Sequence, residues 1–88
     1  MRYRQRKDVM VQIVGDEFVI LDLVTNKLHR MNPIGALLWD ALEQPHSLDA
    51  LAQKIVEVWP QAEESATQDV ATFLTSMQEN NLVVQVEA

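Results

Sequence analysis

The stretch Lys27–Leu42, KLHRMNPIGALLWDAL, changes its period in the middle. From Ile34 onward the apolar residues Ile34, Leu37, Leu38, Ala41 and Leu42 recur at helical spacing. Before that, Lys27 to Met31 is short, charged and strand-like. Asn32 and Pro33 stand between the two. Asparagine is a good N-cap, and proline suits the first helical position, where a missing N–H leaves no bond unmade. A strand must therefore stop, and a helix must start, at one fixed place. That junction limits the chain to folds in which a sheet is followed directly by helices.

The residues upstream supply the rest of the sheet. Val9 to Val14 is rich in β-branched residues, and Gly15-Asp16 supplies a turn. Glu17 to Val24 is a second, nearly continuous apolar run, typical of a central strand. Thr25-Asn26 turns the chain again, since Asn tolerates a left-handed backbone. Lys27 to Met31 is then a third strand, and its Lys27, His29 and Arg30 are the charged residues that blunt a sheet edge. The expectation is an antiparallel meander in the order 1-2-3.

Downstream, residues 33–43 read as a first helix, broken by Gln44-Pro45-His46. Ser47 caps a second, whose stripe is Leu48, Leu51, Ala52, Ile55, Val56 and Trp59, and Pro60 ends it. A third runs from about Glu64 to Asn80, with Ala66, Val70, Phe73, Leu74 and Met77 on its apolar face. Leu82 to Val86 either pairs as a short strand or packs down as an extended tail. The fold class is α+β, a three-stranded antiparallel sheet followed by three helices.

Eighty-eight residues make one domain with a small core; such a chain buries only about 60% of its unfolded surface. Residues 9–88 are expected to form that domain, and residues 1–8, MRYRQRKD, a solvated basic arm. The chain has no cysteine, which removes disulfides and thiolate metal sites and fits a reducing, cytoplasmic setting. No apolar run approaches the ~20 residues of a membrane span. Charge is uneven: residues 1–30 carry +2 and residues 31–88 carry −8. The helical half therefore repels a phosphate backbone.

The chain offers little for catalysis. It has two histidines, His29 and His46, without metal-ligand spacing. It has no phosphate loop and no nucleophile elbow, and only two glycines. No cofactor is expected, and the chain is read as a non-enzyme. The second and third helices could form a helix-turn-helix with the hairpin as a wing. The third, however, carries no Lys or Arg, whereas a DNA reader needs a basic stripe there. Nucleic acid is accordingly an unfavoured partner. An apolar helix beside an edge strand instead makes a groove suited to β-strand addition, in which a guest peptide extends the sheet.

Residues 19–42, VILDLVTNKLHRMNPIGALLWDAL, resemble the PqqD-like family of small peptide-recognition domains. The matching pieces are Val19-Ile20-Leu21-Asp22, Lys27 to Asn32 and Pro33 to Trp39; Ser47 to Leu51, Asp69-Val70, Phe73-Leu74 and Asn81-Leu82-Val83 follow in order. Asn26 and Asn81 replace glycines usual in the family, and Leu28-His29 replaces its aromatic pair. The resemblance implies a winged-helix-like fold. It also implies a job: binding the leader segment of a ribosomally made precursor peptide and presenting it to a separate enzyme. That partner is a radical SAM enzyme in pyrroloquinoline quinone systems and a leader peptidase in lasso-peptide systems; the wording of Ile20 to Leu23 is slightly closer to the latter. Carried over by position, Lys27, Leu28, His29, Arg30 and Met31 would pair with the leader, while Val70, Phe73, Leu74 and Met77 would supply apolar contacts. The competing readings are a winged-helix DNA-binding regulator and a structural adaptor that binds no leader.

Overall fold

A computed structural model describes residues 1–86; the last two positions of the expected 9–88 domain lie outside the described residues. The elements are β1 (Arg2–Gln5), β2 (Val9–Val14), β3 (Glu17–Asp22), β4 (Lys27–Met31), α1 (Pro33–Ala41), α2 (Leu48–Val58), a 3-10 turn (Pro60–Ala62), α3 (Ala66–Glu79) and β5 (Val83–Val86). Strands β2, β3 and β4 form the antiparallel meander in that order, so the third strand of the sequence reading is β4. Gly15, at φ +63°, turns β2 into β3, and Asn26, at φ +63°, lies in the turn before β4.

Strand β3 is shorter than the apolar run Glu17 to Val24 that predicts it. It stops at Asp22 because that side chain accepts a hydrogen bond from the Val24 N–H at 2.9 Å and a longer one from Thr25 at 3.4 Å. This local turn competes with the ladder and wins, as Asp side chains often do. Leu23 and Val24 are left exposed in the connection.

Asn32 is the N-cap of α1, accepting from the Gly35 N–H at 2.7 Å, with Pro33 in the first turn. Ser47 caps α2 in the same way, accepting from Ala50 at 3.1 Å. The core lies mainly among the helices. Leu38, Trp39 and Leu42 of the α1 region meet Leu51 and Ile55 of α2, Val70 and Leu74 of α3, and Leu82 and Val83. From the meander Ile20 alone is buried apolar surface among the described residues, with Val9 and Met31 packed beside it. The sheet thus rests on the helices by one face only.

Residues 1–8 are not the solvated arm their charge suggested. Strand β1 pairs antiparallel with β5, which decides between the two readings of the C-terminal segment. It also reaches the helices: the Gln5 N–H donates to the Leu42 carbonyl at 2.8 Å, and the Gln5 side-chain amide donates to the Trp39 carbonyl at 2.6 Å. These carbonyls lie at the end of α1: Trp39 also accepts from the Leu42 N–H at 3.1 Å, whereas the Leu42 carbonyl takes its bond from Gln5. Tyr3 exchanges main-chain bonds with His46, and the Arg6 N–H donates to Leu82. Arg6 then pairs with Asp22 at 2.5 Å.

Candidate functional site

Which groups of β4 are free follows from the register. The Leu23 N–H donates to the Asp8 carbonyl, so Asp8 points its main chain at β3. Orientation alternates along a strand, so Met10, Gln12 and Val14 point the same way, and Val9, Val11 and Ile13 point outward. The same alternation on β3 turns Phe18, Ile20 and Asp22 toward β4, where they face Met31, His29 and Lys27. Those three residues spend their main-chain bonds inside the sheet. Leu28 and Arg30 present their N–H and C=O groups on the outer edge, which has no strand beside it among the described residues. The side chains of Lys27, His29 and Met31 share the face of Ile20; those of Leu28 and Arg30 project from the other.

A groove of about 390 Å³ begins where β4 ends. Arg30, Met31 and Asn32 form one side, Ile34 and Gly35 of α1 the next, and Asp69, Thr72, Phe73, Ser76 and Met77 of α3 the wall opposite. Gly35 is where the three elements come closest. A Cβ there would stand 3.2 Å from Met31 Sδ, 3.2 Å from Asn32 Oδ1 and 3.6 Å from Phe73 Cε1. The groove therefore combines an aromatic ring, two thioethers, hydroxyls, one carboxylate and one guanidinium. Thioether chains repack readily around different apolar groups. That set suits recognition of an extended, partly apolar segment.

Of the residues expected at the site, Arg30, Met31, Phe73 and Met77 line the groove. Lys27, Leu28 and His29 lie further back along β4, outside its lining. Val70 and Leu74 do not reach it: they are 0% and 2% exposed and belong to the core. A core this small needs the full Ala66, Val70, Leu74 and Met77 stripe of α3. The groove takes the neighbouring stripe instead, Asp69, Thr72, Phe73 and Ser76, which repeats at the same helical spacing. Those polar positions, with Asn32, Ile34 and Gly35, were missed by a reading that looked for apolar contacts.

Asp22 anchors the turn that leads into β4. Burial pushes its carboxyl up, but the hydrogen bonds from Val24, the Arg6 guanidinium and Thr25 outweigh burial and hold it at about 2, below the ordinary 3.8. The turn is thus held by a charged group throughout the neutral range.

Residues 17–83 match the family model described as coenzyme PQQ synthesis protein D (PqqD). The chain belongs to the PqqD family. No curated protein sequence matches it. Two solved structures share its fold. One is described as lasso peptide synthetase B1 complexed with the leader peptide; it is 25% identical with a TM-score of 0.78, and the match covers 94% of this chain and 98% of that one. The other, TbiB1 in complex with the TbiA(beta) leader peptide, is 19% identical with a TM-score of 0.79, covering 97% of this chain and 99% of that one. This PqqD-family chain has no described helix long and apolar enough to cross a membrane. Its α3 carries no lysine or arginine, so the groove wall lacks the basic stripe of a DNA reader.

Proposed function

We propose that this PqqD-family chain is a non-catalytic recognition domain for the leader segment of a ribosomally made precursor peptide. The leader adds as a strand to the outer edge of β4. Main-chain bonds are made with Leu28 and Arg30, and an apolar leader side chain enters the groove between β4 and α3, against Met31, Phe73 and Met77. The domain then presents the peptide to a separate modifying enzyme or leader peptidase in the cytoplasm. One observation carries the reading: an unpaired strand edge runs directly into a groove of mixed apolar and polar lining. The leader complexes of the two structural relatives support it.

The test is fluorescence anisotropy with a labelled synthetic peptide of the precursor leader encoded beside this chain's gene. Saturable binding in the micromolar range or tighter, about −8 kcal/mol, is expected of such a groove. Phe73→Ala, which removes the ring from the groove wall, should weaken binding at least tenfold. No saturable binding to that leader sinks the proposal, and so does full binding by a folded Phe73→Ala variant.

A further inference from the structure

The opposite edge of the meander lies away from the groove, outside the proposed peptide site. Strand β2 is unpaired on its outer side among the described residues, and Val9, Val11 and Ile13 turn their main-chain groups outward there. Its side chains are bare as well: Met10, Val11, Ile13 and Val14 are 45%, 40%, 69% and 60% exposed. The strand VMVQIV holds no charge and no proline. Sheet edges that stay solvated are usually interrupted by such residues, as β4 is by Lys27, His29 and Arg30.

We propose that β2 is covered by the β2 strand of a second copy of this chain, in antiparallel register about Val11. The two meanders then join into one sheet in the order β4-β3-β2-β2-β3-β4. A two-fold axis across such a pair requires one residue to face itself. Centring on Val11 sets Val9 opposite Ile13 at both ends, so all three outward-facing residues form bonded pairs. The flanking charges select the same arrangement. Lys7 precedes the strand and Asp16 follows it, both exposed. Antiparallel pairing sets Lys7 of one copy opposite Gly15 of the other, one residue from Asp16, twice, and sets the exposed Asp8 opposite the uncharged Val14; parallel pairing would set Lys7 against Lys7 and Asp16 against Asp16.

One strand pair buries less than the roughly 1,200 Å² of a stable interface, so the association is weak and concentration-dependent. It does not rest on the peptide reading, because both β4 edges remain open at the outer margins of the joined sheet.

Sedimentation equilibrium of the full chain tests it. The weight-average mass should rise from one chain toward two between roughly 1 µM and 1 mM. Val11→Pro removes an outward N–H that the chain's own ladder does not use, a position where an edge strand tolerates proline. It should weaken association at least tenfold while the melting temperature changes little. A second probe stands even where that variant folds poorly. The chain has no cysteine, so Val11→Cys introduces a single thiol facing its own copy. Cα atoms of a bonded antiparallel pair lie about 5.5 Å apart, within disulfide reach. Mild oxidation should cross-link Val11→Cys efficiently and Leu28→Cys, on the β4 edge, poorly. A single-chain mass across the whole range overturns the proposal, as does equal cross-linking from the two edges or undiminished association of a folded Val11→Pro.

Discussion

At the scale of single residues, Asp22 decides more than its place in the sequence suggests. Its carboxylate is buried, ends β3, and receives the Arg6 guanidinium from the N-terminal strand. With a folded pKa near 2 against an ordinary 3.8, it stabilises the fold fully above about pH 4, and that contribution disappears as pH falls through 2. Thermal melts of the native chain and of Asp22→Asn should therefore differ most at neutral pH and converge between pH 4 and pH 2. A gap that stays constant across that window would show that the charge is not what matters. Gly35 is the second such residue. A methyl there must displace the end of Met31 or disturb the Asn32 cap. Gly35→Ala gains up to about 1 kcal/mol of helix propensity, so the fold should survive. The groove floor is raised, however, and leader affinity by anisotropy should fall several-fold; unchanged affinity would mean that the guest does not reach this floor. Neither residue stood out in the sequence. Asp22 looked like one more strand position, although an Asp two residues before Val24-Thr25-Asn26 carries the signal of a side-chain turn.

At the scale of elements, the strand-to-helix junction was the most legible part of the chain, because Asn32-Pro33 acts locally and needs no partner. The extent of β4 and the cap of α1 came out as the sequence implied. What pattern alone could not give was which main-chain groups of β4 are free, since that depends on the register set by Asp8, Asp22 and the two turns. The sequence also could not divide α3 between two neighbours: Ala66, Val70 and Leu74 feed the core, Met77 serves both, and Phe73 and the polar stripe beside it face the groove. The register makes a sharp prediction. Arg30→Pro removes a donor from the open edge, which costs the bound complex about 1 kcal/mol, or some fivefold in affinity, with little loss of stability. Its exposed pair with Glu17, at 3.5 Å, adds little to either. His29→Pro removes a bond that faces Ile20 inside the sheet, so it should lower the melting temperature before it changes binding. If the two variants exchange these behaviours, the register assigned to the free edge is wrong by one residue.

At the scale of the whole molecule, the N-terminal strand closes the fold, although its composition argues for an arm. Four basic residues among the first seven outweighed a weaker signal, the alternation in RYRQ. Tyr3 and Gln5 fall on one side of that strand and are half-buried, while Arg2 and Arg4 fall on the other and are exposed. Charge describes the outer side, and the fold is made by the inner one. Its partner β5 is distant in sequence, so no local pattern announces the pair. Deleting residues 1–8 would strip β5 of its partner, leave the Leu42 carbonyl without a donor, remove the Gln5 amide from the Trp39 carbonyl, and leave Asp22 buried without Arg6. Each lost hydrogen bond costs about 1 kcal/mol, and a domain this small holds only about 5 kcal/mol in all. The losses are comparable with the whole stability, so the shortened chain should lose its cooperative melt, or melt at least 10 °C lower, when followed by circular dichroism. Leader binding should fail with it, because α1 carries Gly35 and the Asn32 cap into the groove and is tied down at its far end by Gln5. A truncated chain that melts cooperatively at the native temperature would return residues 1–8 to the role of a charged arm, and the fold would have to close without them.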